Sequence, residues 1–172
     1  MGKTFFLADT HFGDDNIRRY ENRPFPSVEQ MDAMMISLWN DTVGPDDDVY
    51  VVGDFGADNL MNHECYLGQL NGRIYLIKGN HDIQSNQYYR DCGFEEVYDH
   101  PIILDGFWII SHDPLYANEN MPYANIFGHV HNSPLFKDFS KQHYCVSVER
   151  IGFMPIDFEE IKRKIREAVE NG

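Results

Sequence analysis

Side chains that can bind metal ions follow five of the apolar runs in this sequence, at the points where those runs end. They are Asp9, His11, Asp54, Asn80, His112, His129 and His131. Carboxylate, amide and imidazole donors without thiolate suit borderline divalent cations such as Mn²⁺, Fe, Zn²⁺ or Ni²⁺ rather than Ca²⁺. One such ion does not take this many ligands, so the pattern predicts two divalent metal ions, separated by roughly 3.5–4 Å.

The last two donors lie in the segment IFGHVHNSP (126–134), where His129 and His131 are separated by one residue. In an extended chain, residues i and i+2 point to the same side. The two imidazoles would therefore face one site, and each could bind a different ion of the predicted pair. A glycine precedes the donor in the motifs at 53–54, 79–80 and 128–129, which allows a sharp exit from the strand and close backbone approach.

The runs that carry these donors have the length and the β-branched and aromatic content of β-strands. We expect strands at residues 5–8, 49–52, 73–78, 102–104, 107–111, 125–127 and 144–148. Asp105-Gly106 between two of these runs predicts a hairpin turn. Each donor group follows the carboxyl end of its strand, which is where ligand sites form in open α/β sheets.

Helices are expected between the early strands and at the end of the chain. Ser27 and Gln30 have the spacing of a capping box and precede a stretch with helical periodicity at 31–40. Three further helices are expected at 58–70, at 84–91 and from Asp157 to about Val169. The early order β-α-β-α-β, followed by strands without helices between them, predicts an α/β protein with mixed sheets.

Length and composition limit the class of protein. The chain has 172 residues, and we expect a single domain over residues 1–172. Its formal net charge of −14 repels long polyanions, which argues against a protein that coats DNA or RNA. The cysteines Cys65, Cys92 and Cys145 form no CxxC motif, which favours a reducing compartment. Because no apolar stretch approaches ~20 residues, we expect a cytoplasmic protein without membrane contact.

The donor motifs, taken together and in order, resemble those of the calcineurin-like metallophosphoesterase superfamily, in particular its small single-domain bacterial, archaeal and phage members. The motifs are Asp9-x-His11, Gly53-Asp54, Gly79-Asn80-His81-Asp82, His112 and Gly128-His129-x-His131. Each motif is weak alone, whereas the whole set in this order, each after a predicted strand, is specific. The resemblance implies the metallo-dependent phosphatase fold, a four-layer α/β/β/α sandwich of two mixed sheets.

The resemblance also implies a role for each residue. Asp9, His11 and His131 would bind one metal, Asn80, His112 and His129 would bind the second, and Asp54 would bridge them. The catalytic residues would be His81, which would stabilise or protonate the leaving oxygen, and Asp82, which would orient the His81 ring. Mn²⁺ is the favoured metal, although these ligands do not separate it from Fe, Ni²⁺ or Zn²⁺.

The sequence departs from the usual pattern of this superfamily at two neighbours of the donors. Ala8 precedes the first aspartate where a serine is common, and Ser111 precedes a histidine where a glycine is common. No donor position is missing. We therefore expect altered contacts around the donors and an intact metal site.

The activity implied is hydrolysis of phosphate esters by water that two metal ions activate. No large insertion builds a closed pocket, so an open site is expected. Such a site favours small phosphodiesters and cyclic or other nucleotide-like esters, with selectivity residing in residues 12–26 and 132–134. A phosphomonoester or phosphoprotein substrate is the alternative within the enzyme class.

Other function classes compete with this enzyme. A non-catalytic interaction scaffold on the same fold would be expected to have lost donors that this chain keeps. A nuclease acting on single-stranded ends, and contact with extended nucleic acid in general, are disfavoured by the net charge of −14. A homodimer is an expectation from the family alone.

Basic side chains beside the first motif are candidates for substrate binding. Arg18, Arg19 and Arg23 form the densest basic cluster near the predicted site, and arginines there could clamp a phosphate by bidentate contacts. The alternative is a salt-bridged loop, for which Asp14 and Asp15 supply partners.

Several other residues near the motifs have both a structural and a functional interpretation. Tyr20, Asn22 and Phe25 could stack on a base or an aryl leaving group, or could pack their loop down. The histidines outside the motifs are expected to be structural or on the surface, with His63 on a helix surface and His143 before the strand at 144–148.

Overall fold

The computed structural model describes residues 2–58, 62–118, 120–136 and 140–170. The strands are β1 (Thr4–Leu7), β2 (Asp48–Val51), β3 (Arg73–Ile77), β4 (Glu96–Tyr98), β5 (Ile102–Leu104), β6 (Trp108–Ser111), β7 (Ala124–Phe127), β8 (His143–Cys145) and β9 (Ile156–Asp157). The helices are α1 (Asp15–Tyr20), α2 (Val28–Thr42), α3 (His63–Leu67), α4 (Asn86–Cys92), α5 (Val148–Ile151) and α6 (Phe158–Glu170). A short 3₁₀ turn covers Pro134–Phe136.

The first sheet has the strand order β4-β3-β2-β1-β9. Strands β1 to β4 are parallel, and β9 pairs antiparallel with β1. The register pairs Leu7 with Val51 and Val51 with Leu76, so three parallel strands end at the same edge. One face of this sheet packs against α2, α3 and α4, in a core that includes Trp39 and Tyr89.

The second sheet has the order β5-β6-β7-β8, with β6, β7 and β8 parallel and β5 antiparallel to β6. Ser111 pairs with Phe127, so β6 and β7 also end level with each other. Asp105 and Gly106 join β5 to β6 with φ angles of 52° and 69°. Both residues are left-handed, as a type I′ turn requires, and the predicted hairpin is confirmed.

The two sheets pack face to face over a second core. Phe6 and Ile77 of the first sheet meet Ile110 and Ile126 of the second. Helix α6 adds Phe158 to this core and packs against β1 and β8. The chain is therefore an α/β sandwich in which helices flank two mixed sheets, which confirms the α/β/β/α fold class predicted from the sequence.

The boundaries of the strands differ from the prediction at a few places. The structure adds β4 and β9, which have three and two residues and are too short to show alternation. The strand predicted at 144–148 is wrong in its second half, since β8 ends at Cys145 and α5 begins at Val148. The reason is that the backbone there leaves β7 for the first sheet, where Val148 donates to the carbonyl of Ala8 at 3.1 Å.

The helix predictions hold best where a cap is present. Ser27 caps α2, because its Oγ accepts from the backbone N–H of Gln30 at 3.3 Å. In the stretch 58–70, only α3 is helical, and residues 59–61 lie outside the described residues. The sequence prediction missed α1, a helix of six residues capped by Asp14. Within the described part of the chain, no helix is long and apolar enough to cross a membrane.

Candidate metal centre

The carboxyl ends of five strands meet at one edge of the sandwich and carry the predicted donors. Asp9 and His11 follow β1, Asp54 follows β2, Asn80 follows β3, His112 follows β6, and His129 and His131 follow β7. Backbone hydrogen bonds join neighbouring loops within each sheet. Within the first sheet the amide of Asp9 donates to Gly53, and within the second the amide of Gly128 donates to His112, each at 3.0 Å.

The donors form two groups, each compact enough for one metal ion. Asp9, His11 and His131 place ligand atoms within 4.8 Å of one another, and so do Asp54, His112 and His129. The side-chain oxygen of Asn80 joins the second group, at 3.0 Å from both His112 Nε2 and His129 Nδ1. The structure thus brings the sequence-predicted donors together at one place.

Asp54 lies between the two groups. Its Oδ2 atom is 3.2 Å from Nε2 of His112 in the second group and 3.6 Å from Nε2 of His11 in the first. A carboxylate that faces both groups is placed to bridge two cations. This geometry agrees with the bridging position that the resemblance implies.

Backbone strain is concentrated at the donors. Left-handed φ angles occur at Asp9 (60°), His11 (48°), Asp54 (56°), His129 (68°) and His131 (46°). This conformation is uncommon for residues with side chains, costs on the order of 1–3 kcal/mol each, and clusters at functional sites in proteins. This strain arises because each donor loop must turn sharply where its strand ends, so that the donor side chain faces the site.

Two glycines beneath the donors allow the loops to approach closely. A Cβ at Gly79 would lie 2.2 Å from Oδ1 of Asp54, and a Cβ at Gly128 would lie 2.4 Å from the Cβ of Ala8. Neither distance is possible for real atoms. Gly79 and Gly128 therefore allow the close backbone approach that was predicted, because neighbouring donor loops occupy the space that a side chain would need.

Asp9, which follows a strand of the first sheet, is held by groups that follow two strands of the second sheet. Its carboxylate accepts from the backbone N–H of His129 at 3.0–3.1 Å and from Oγ of Ser147 at 2.5 Å. Ser147 was not among the residues predicted for the site, because an isolated serine in an apolar run carries no motif. Ser147 lies where the backbone passes from the second sheet to the first, and this position depends on the tertiary structure.

Glu149 is a further charged residue of the site that no sequence motif marks. Its Oε1 atom lies 3.0 Å from Nδ1 of His131, an arrangement that fixes the ring and leaves Nε2 for a metal. The same oxygen accepts from Nε of Arg23 at 2.9 Å. Glu21, His131 and Glu149 also place ligand atoms within 4.8 Å. Because Glu149 already binds Arg23 and His131, we assign it the role of holding the His131 ring rather than that of a metal ligand.

The structure corrects the predicted role of two of the three arginines that were candidates for substrate binding. The Arg23 side chain is fully buried, and besides Glu149 it donates to the carbonyl oxygens of Asp9 and Thr10 at 2.6 and 2.8 Å. Arg18 donates to Asp15 at 2.6 Å and to the carbonyl of Phe25 at 2.9 Å. Both therefore hold the loop together, and neither guanidinium is available to clamp a phosphate.

Arg19 differs from its neighbours. Its side chain is 72% exposed, and its ion pair with Asp15 lies on the surface at 2.5 Å. Surface pairs of this kind contribute little free energy, so the guanidinium can exchange partners. Arg19 lines a cleft that also contains His11 and His81.

The structure also corrects the role of Asp82. Its carboxylate is buried and accepts from the backbone N–H groups of Asp54 (2.7 Å), Gly79 (2.8 Å) and Phe55 (3.1 Å), so it fastens the β2 loop to the β3 loop. Burial raises the pKa of Asp82 to about 6. The residue paired with the His81 ring is instead Asp58, through Nδ1. Asp58 lies in a stretch predicted as helix, which concealed it.

His81 stands apart from the donor groups. Its side chain is 38% exposed, while its backbone N–H donates to Asp54 at 2.9 Å. Burial alone lowers the pKa of His81, but the bond to Asp58 and the charge of Asp54 outweigh it and raise the pKa above the ordinary value. The ring therefore tends to keep its proton, as a group that donates to a leaving oxygen must.

The first donor group is deeply buried, and its pKa values show the effect. Burial raises the pKa of Asp9 to about 6 and lowers the pKa of His11 to about 3. His11 is therefore neutral, as a metal ligand must be. Both of its ring nitrogens are buried without a hydrogen-bond partner among the described residues. An unpaired buried imidazole is costly, and a cation at this place would satisfy the nitrogen that it binds.

In the second group, Asp54 and His112 act as a coupled pair. Burial alone raises the pKa of Asp54 and lowers that of His112, but their mutual contact reverses both, so the pKa of Asp54 falls and that of His112 rises. Burial lowers the pKa of His129, whose side chain is 43% exposed. Carboxylate, amide and imidazole donors of this geometry fit two borderline divalent cations.

The residues outside the donor set have structural roles. His63 is buried rather than on a helix surface, and its Nδ1 lies 3.0 Å from the hydroxyl of Tyr88. Nε2 of His143 lies 2.6 Å from the carbonyl of Leu115. Ser111 stands where the superfamily commonly has glycine. Its Oγ accepts from Nδ2 of Asn125 at 2.8 Å, so the hydroxyl has a hydrogen-bond partner inside the protein.

Comparison of the sequence with known proteins finds a relative of nearly full length. The chain is 32% identical over 177 residues to the uncharacterized protein MJ1445 of Methanocaldococcus jannaschii. The match covers 96% of this chain and 92% of that protein. No family model matches the chain.

Comparison of the structure with solved structures gives further likenesses. The protein of unknown function AQ665 from Aquifex aeolicus superposes with a TM-score of 0.72 and 23% identity, over 95% of this chain and 99% of that one. A nuclease from Pseudomonas putida, nuclease MPE, superposes with a TM-score of 0.51 and 23% identity, over 74% of this chain and 61% of that one. At this level of identity the likenesses show a shared fold.

Proposed function

The chain belongs to the family of the M. jannaschii protein MJ1445, and we propose that it is a metal-dependent phosphoesterase that hydrolyses small phosphodiesters. The observation that carries this proposal is the pair of donor groups with Asp54 between them, at one edge of the sandwich. The donor motifs and the fold shared with a nuclease support placing the family within the calcineurin-like metallophosphoesterases. A nuclease cleaves phosphodiester bonds, which is the reaction class proposed here.

In this proposal, Asp9, His11 and His131 hold one divalent cation, Asn80, His112 and His129 hold the other, and Asp54 bridges them. When bound, two such ions supply a water that ionises near neutral pH and offset the charge that develops on phosphorus. Mn²⁺ remains the favoured metal, with Fe, Ni²⁺ or Zn²⁺ as alternatives. Ser147, Glu149 and Asp82 keep the donors and their loops in place.

His81 is the proposed general acid. A protonated His81 donates to the leaving oxygen, and Asp58 at its Nδ1 fixes the ring and favours the protonated form. The partly exposed position of His81 places it where a substrate can arrive, on the rim of the cleft that Arg19 also lines.

The preference for a small substrate follows from charge and exposure. Asn80 and His129 of the second group are exposed, so a phosphate ester can reach the donors without opening a lid. The formal net charge of −14 opposes a long polyanion, whereas two bound cations reverse the local sign for a single phosphate.

Cleavage of nucleic acid ends is the second candidate function. The observation in its favour is the fold shared with P. putida nuclease MPE. Contact with a polyanion would require a basic surface, and two of the three arginines near the site are engaged within their own loop. A single-stranded oligonucleotide included in the assay below would test this candidate directly, since its cleavage should fall steeply with salt if contacts to the strand matter.

The proposal is tested by hydrolysis of bis(4-nitrophenyl) phosphate and of 4-nitrophenyl phosphate. The protein is stripped with a chelator and assayed before and after Mn²⁺ is returned, alongside a His129→Ala variant. We expect Mn²⁺-dependent cleavage of the diester that the variant loses. Cleavage of the monoester alone would favour a phosphomonoesterase, and absence of cleavage in protein shown to hold two metal ions would favour the interaction scaffold.

A further inference from the structure

A cleft of about 720 Å³ opens beside His81, and its lining residues include no member of the second donor group. It is lined by His11, Asp14, Asn16, Ile17, Arg19, Tyr20, Ala57, Asp58 and His81. One wall is formed by α1, whose six residues include no buried side chain, and the other by the loop that follows β2. A cleft of this size accommodates one small organic group.

The position of this cleft relative to His81 determines what it would hold. If His81 donates to the leaving oxygen, as proposed above, the part of the substrate attached to that oxygen extends past His81 toward α1, over the space that His81 and α1 both line. The cleft is therefore the space available to the leaving group. The inference below rests on the proposed function in this respect.

The chemistry of the walls favours an uncharged aromatic group. Tyr20 is 82% exposed at the end of α1, and Ile17 and Ala57 add apolar surface. An exposed tyrosine ring beside apolar side chains offers a face for stacking. Tyrosine rings in such positions also stack on nucleobases.

The charges in the cleft oppose an anionic group. Asp14 and Asp58 contribute two carboxylates, and Arg19 contributes one guanidinium, which shares a surface ion pair with Asp15. An extended polyphosphate or a carboxylate on the leaving group would lie beside the carboxylates of Asp14 and Asp58, and the Coulomb repulsion disfavours it. A neutral ring faces no such penalty.

We propose that Tyr20 and Ile17 on α1 form the binding wall for the leaving group, and that this wall selects phosphodiesters whose leaving group is an uncharged aromatic ring. Aryl alcohols and nucleosides share this chemistry. Tyr20 is in this assignment a residue that determines specificity, and it takes no part in proton transfer.

Binding of a non-hydrolysable analogue tests the wall independently of turnover. Methyl benzylphosphonate, in which a methylene replaces the leaving oxygen, is titrated into Mn²⁺-loaded protein by calorimetry, with methyl ethylphosphonate as the analogue without a ring. Tyr20→Ala should weaken binding of the first by roughly three- to tenfold and leave the second unchanged, and Tyr20→Phe should keep wild-type binding. Tyr116→Ala, the same change at another exposed tyrosine, is the matched control.

Kinetics with a neutral and a charged leaving group provide the second test. Methyl 4-carbamoylphenyl phosphate and methyl 4-carboxyphenyl phosphate differ in the charge on the ring, and KM should be at least about fivefold higher for the carboxylate. Tyr20→Ala should raise KM for the carbamoyl ester with little change in kcat. Thymidine 5′-(methyl phosphate), assayed in parallel, distinguishes nucleoside from aryl substrates by its kcat/KM.

The outcomes separate this inference from the proposed function. Equal binding of methyl benzylphosphonate to the wild type, Tyr20→Ala and Tyr116→Ala would overturn the assignment of the wall, whatever the rate of hydrolysis. Tyr20-dependent binding of the phosphonate together with no hydrolysis of any diester would support the wall and contradict the phosphoesterase.

Discussion

His11 illustrates how a single residue of the candidate metal site can cost the fold free energy. Its ring is buried with both nitrogens unpaired among the described residues, and its backbone φ is 48°. An unsatisfied buried polar group costs about 1–3 kcal/mol, and the strained backbone adds a similar cost. A cation bound to one of these nitrogens would offset part of the first cost.

The role of His81 can be separated from metal binding by a single substitution. His81→Ala should leave metal content unchanged, because its ring belongs to neither donor group. Turnover should fall by about 10²-fold or more, and most for esters of poorly acidic alcohols, because those leaving groups need the proton. The measurement is kcat for a leaving-group series together with metal analysis of the purified variant.

His100→Ala is the matched control for this substitution, since His100 is an exposed histidine away from the donor loops. Loss of metal from His81→Ala would show that the residue is a ligand and that the general acid lies elsewhere.

Glu149 allows a second prediction for a single residue. Glu149→Gln keeps the shape of the side chain but removes the charge that Arg23 and His131 share. We expect metal affinity to fall by about 10–100-fold, since the partner of a ligating imidazole tunes and orients it. Unfolding in urea should show a cost of about 3–5 kcal/mol, because the buried guanidinium of Arg23 loses its counter-charge.

Metal affinity is measured by competition with a chelator of known affinity, on protein whose folding has been checked by circular dichroism. Glu159→Gln, at an exposed carboxylate paired with Lys162, should change neither quantity. Unchanged metal affinity in a folded Glu149→Gln variant would mean that His131 needs no carboxylate partner.

At the scale of elements, the strand-to-loop transitions decide the geometry of the site. Each donor loop leaves a parallel strand at the same edge and is fastened to a neighbouring loop by a side chain, as Asp82 fastens the β2 and β3 loops. Parallel strands make this arrangement possible because their carboxyl ends coincide. The donors are therefore positioned by the sheets, and the loops supply only the final turn.

Gly79 provides a test of this arrangement. A methyl group there would lie 2.2 Å from Oδ1 of Asp54, so Gly79→Ala must displace the proposed bridging carboxylate. We expect the variant to lose most of its metal and activity, with a stability cost of about 1–3 kcal/mol from the overpacking. The measurements are metal content, diester hydrolysis and urea unfolding.

Gly106→Ala is the control at this scale. Gly106 has a φ of 69°, and a methyl group there would meet no atom within 4 Å outside its chain neighbours. Its substitution should therefore cost about 1 kcal/mol of stability and leave metal content unchanged. If Gly79→Ala retained two metal ions with full activity, Asp54 would not be held where the bridging role requires.

At the scale of the whole molecule, the site lies where the two sheets meet, and each proposed metal has donors from both. Asp9 and His11 come from the first sheet and His131 from the second, while Asp54 and His112 are divided in the same way. A cation held between them acts as a cross-link that exists only in the folded state. Metal binding should therefore stabilise the whole sandwich.

Removal of metal should accordingly lower the melting temperature. At a metal concentration one hundred times Kd, binding contributes about 2.7 kcal/mol, which corresponds to a shift of roughly 5–10 °C for a chain of this size. Differential scanning calorimetry with and without chelator measures the shift. The His81→Ala variant should show the full shift and the Asn80→Ala variant a reduced one, and a melting temperature independent of metal would contradict a site shared by both sheets.

The sequence by itself determined the fold class and the donor positions. Strands at 5–8 and 49–52 are recognisable because apolar β-branched and aromatic residues mark them locally, and the donors follow at once in the chain. The hairpin turn at Asp105-Gly106 and the helix cap at Ser27 are likewise local signals. Such features depend only on neighbours in the chain, so they can be read before the fold is known.

Only the tertiary structure decided which side chains support the donors. Arg23 resembles a phosphate-binding residue in the sequence, yet the fold buries it against Glu149, which is 126 residues away in the chain. Asp82 follows His81 directly, but the ring pairs with Asp58 because the β2 loop approaches it in space. These partners are set by how the two sheets pack, and pairings between distant segments leave no periodic or local mark in the sequence.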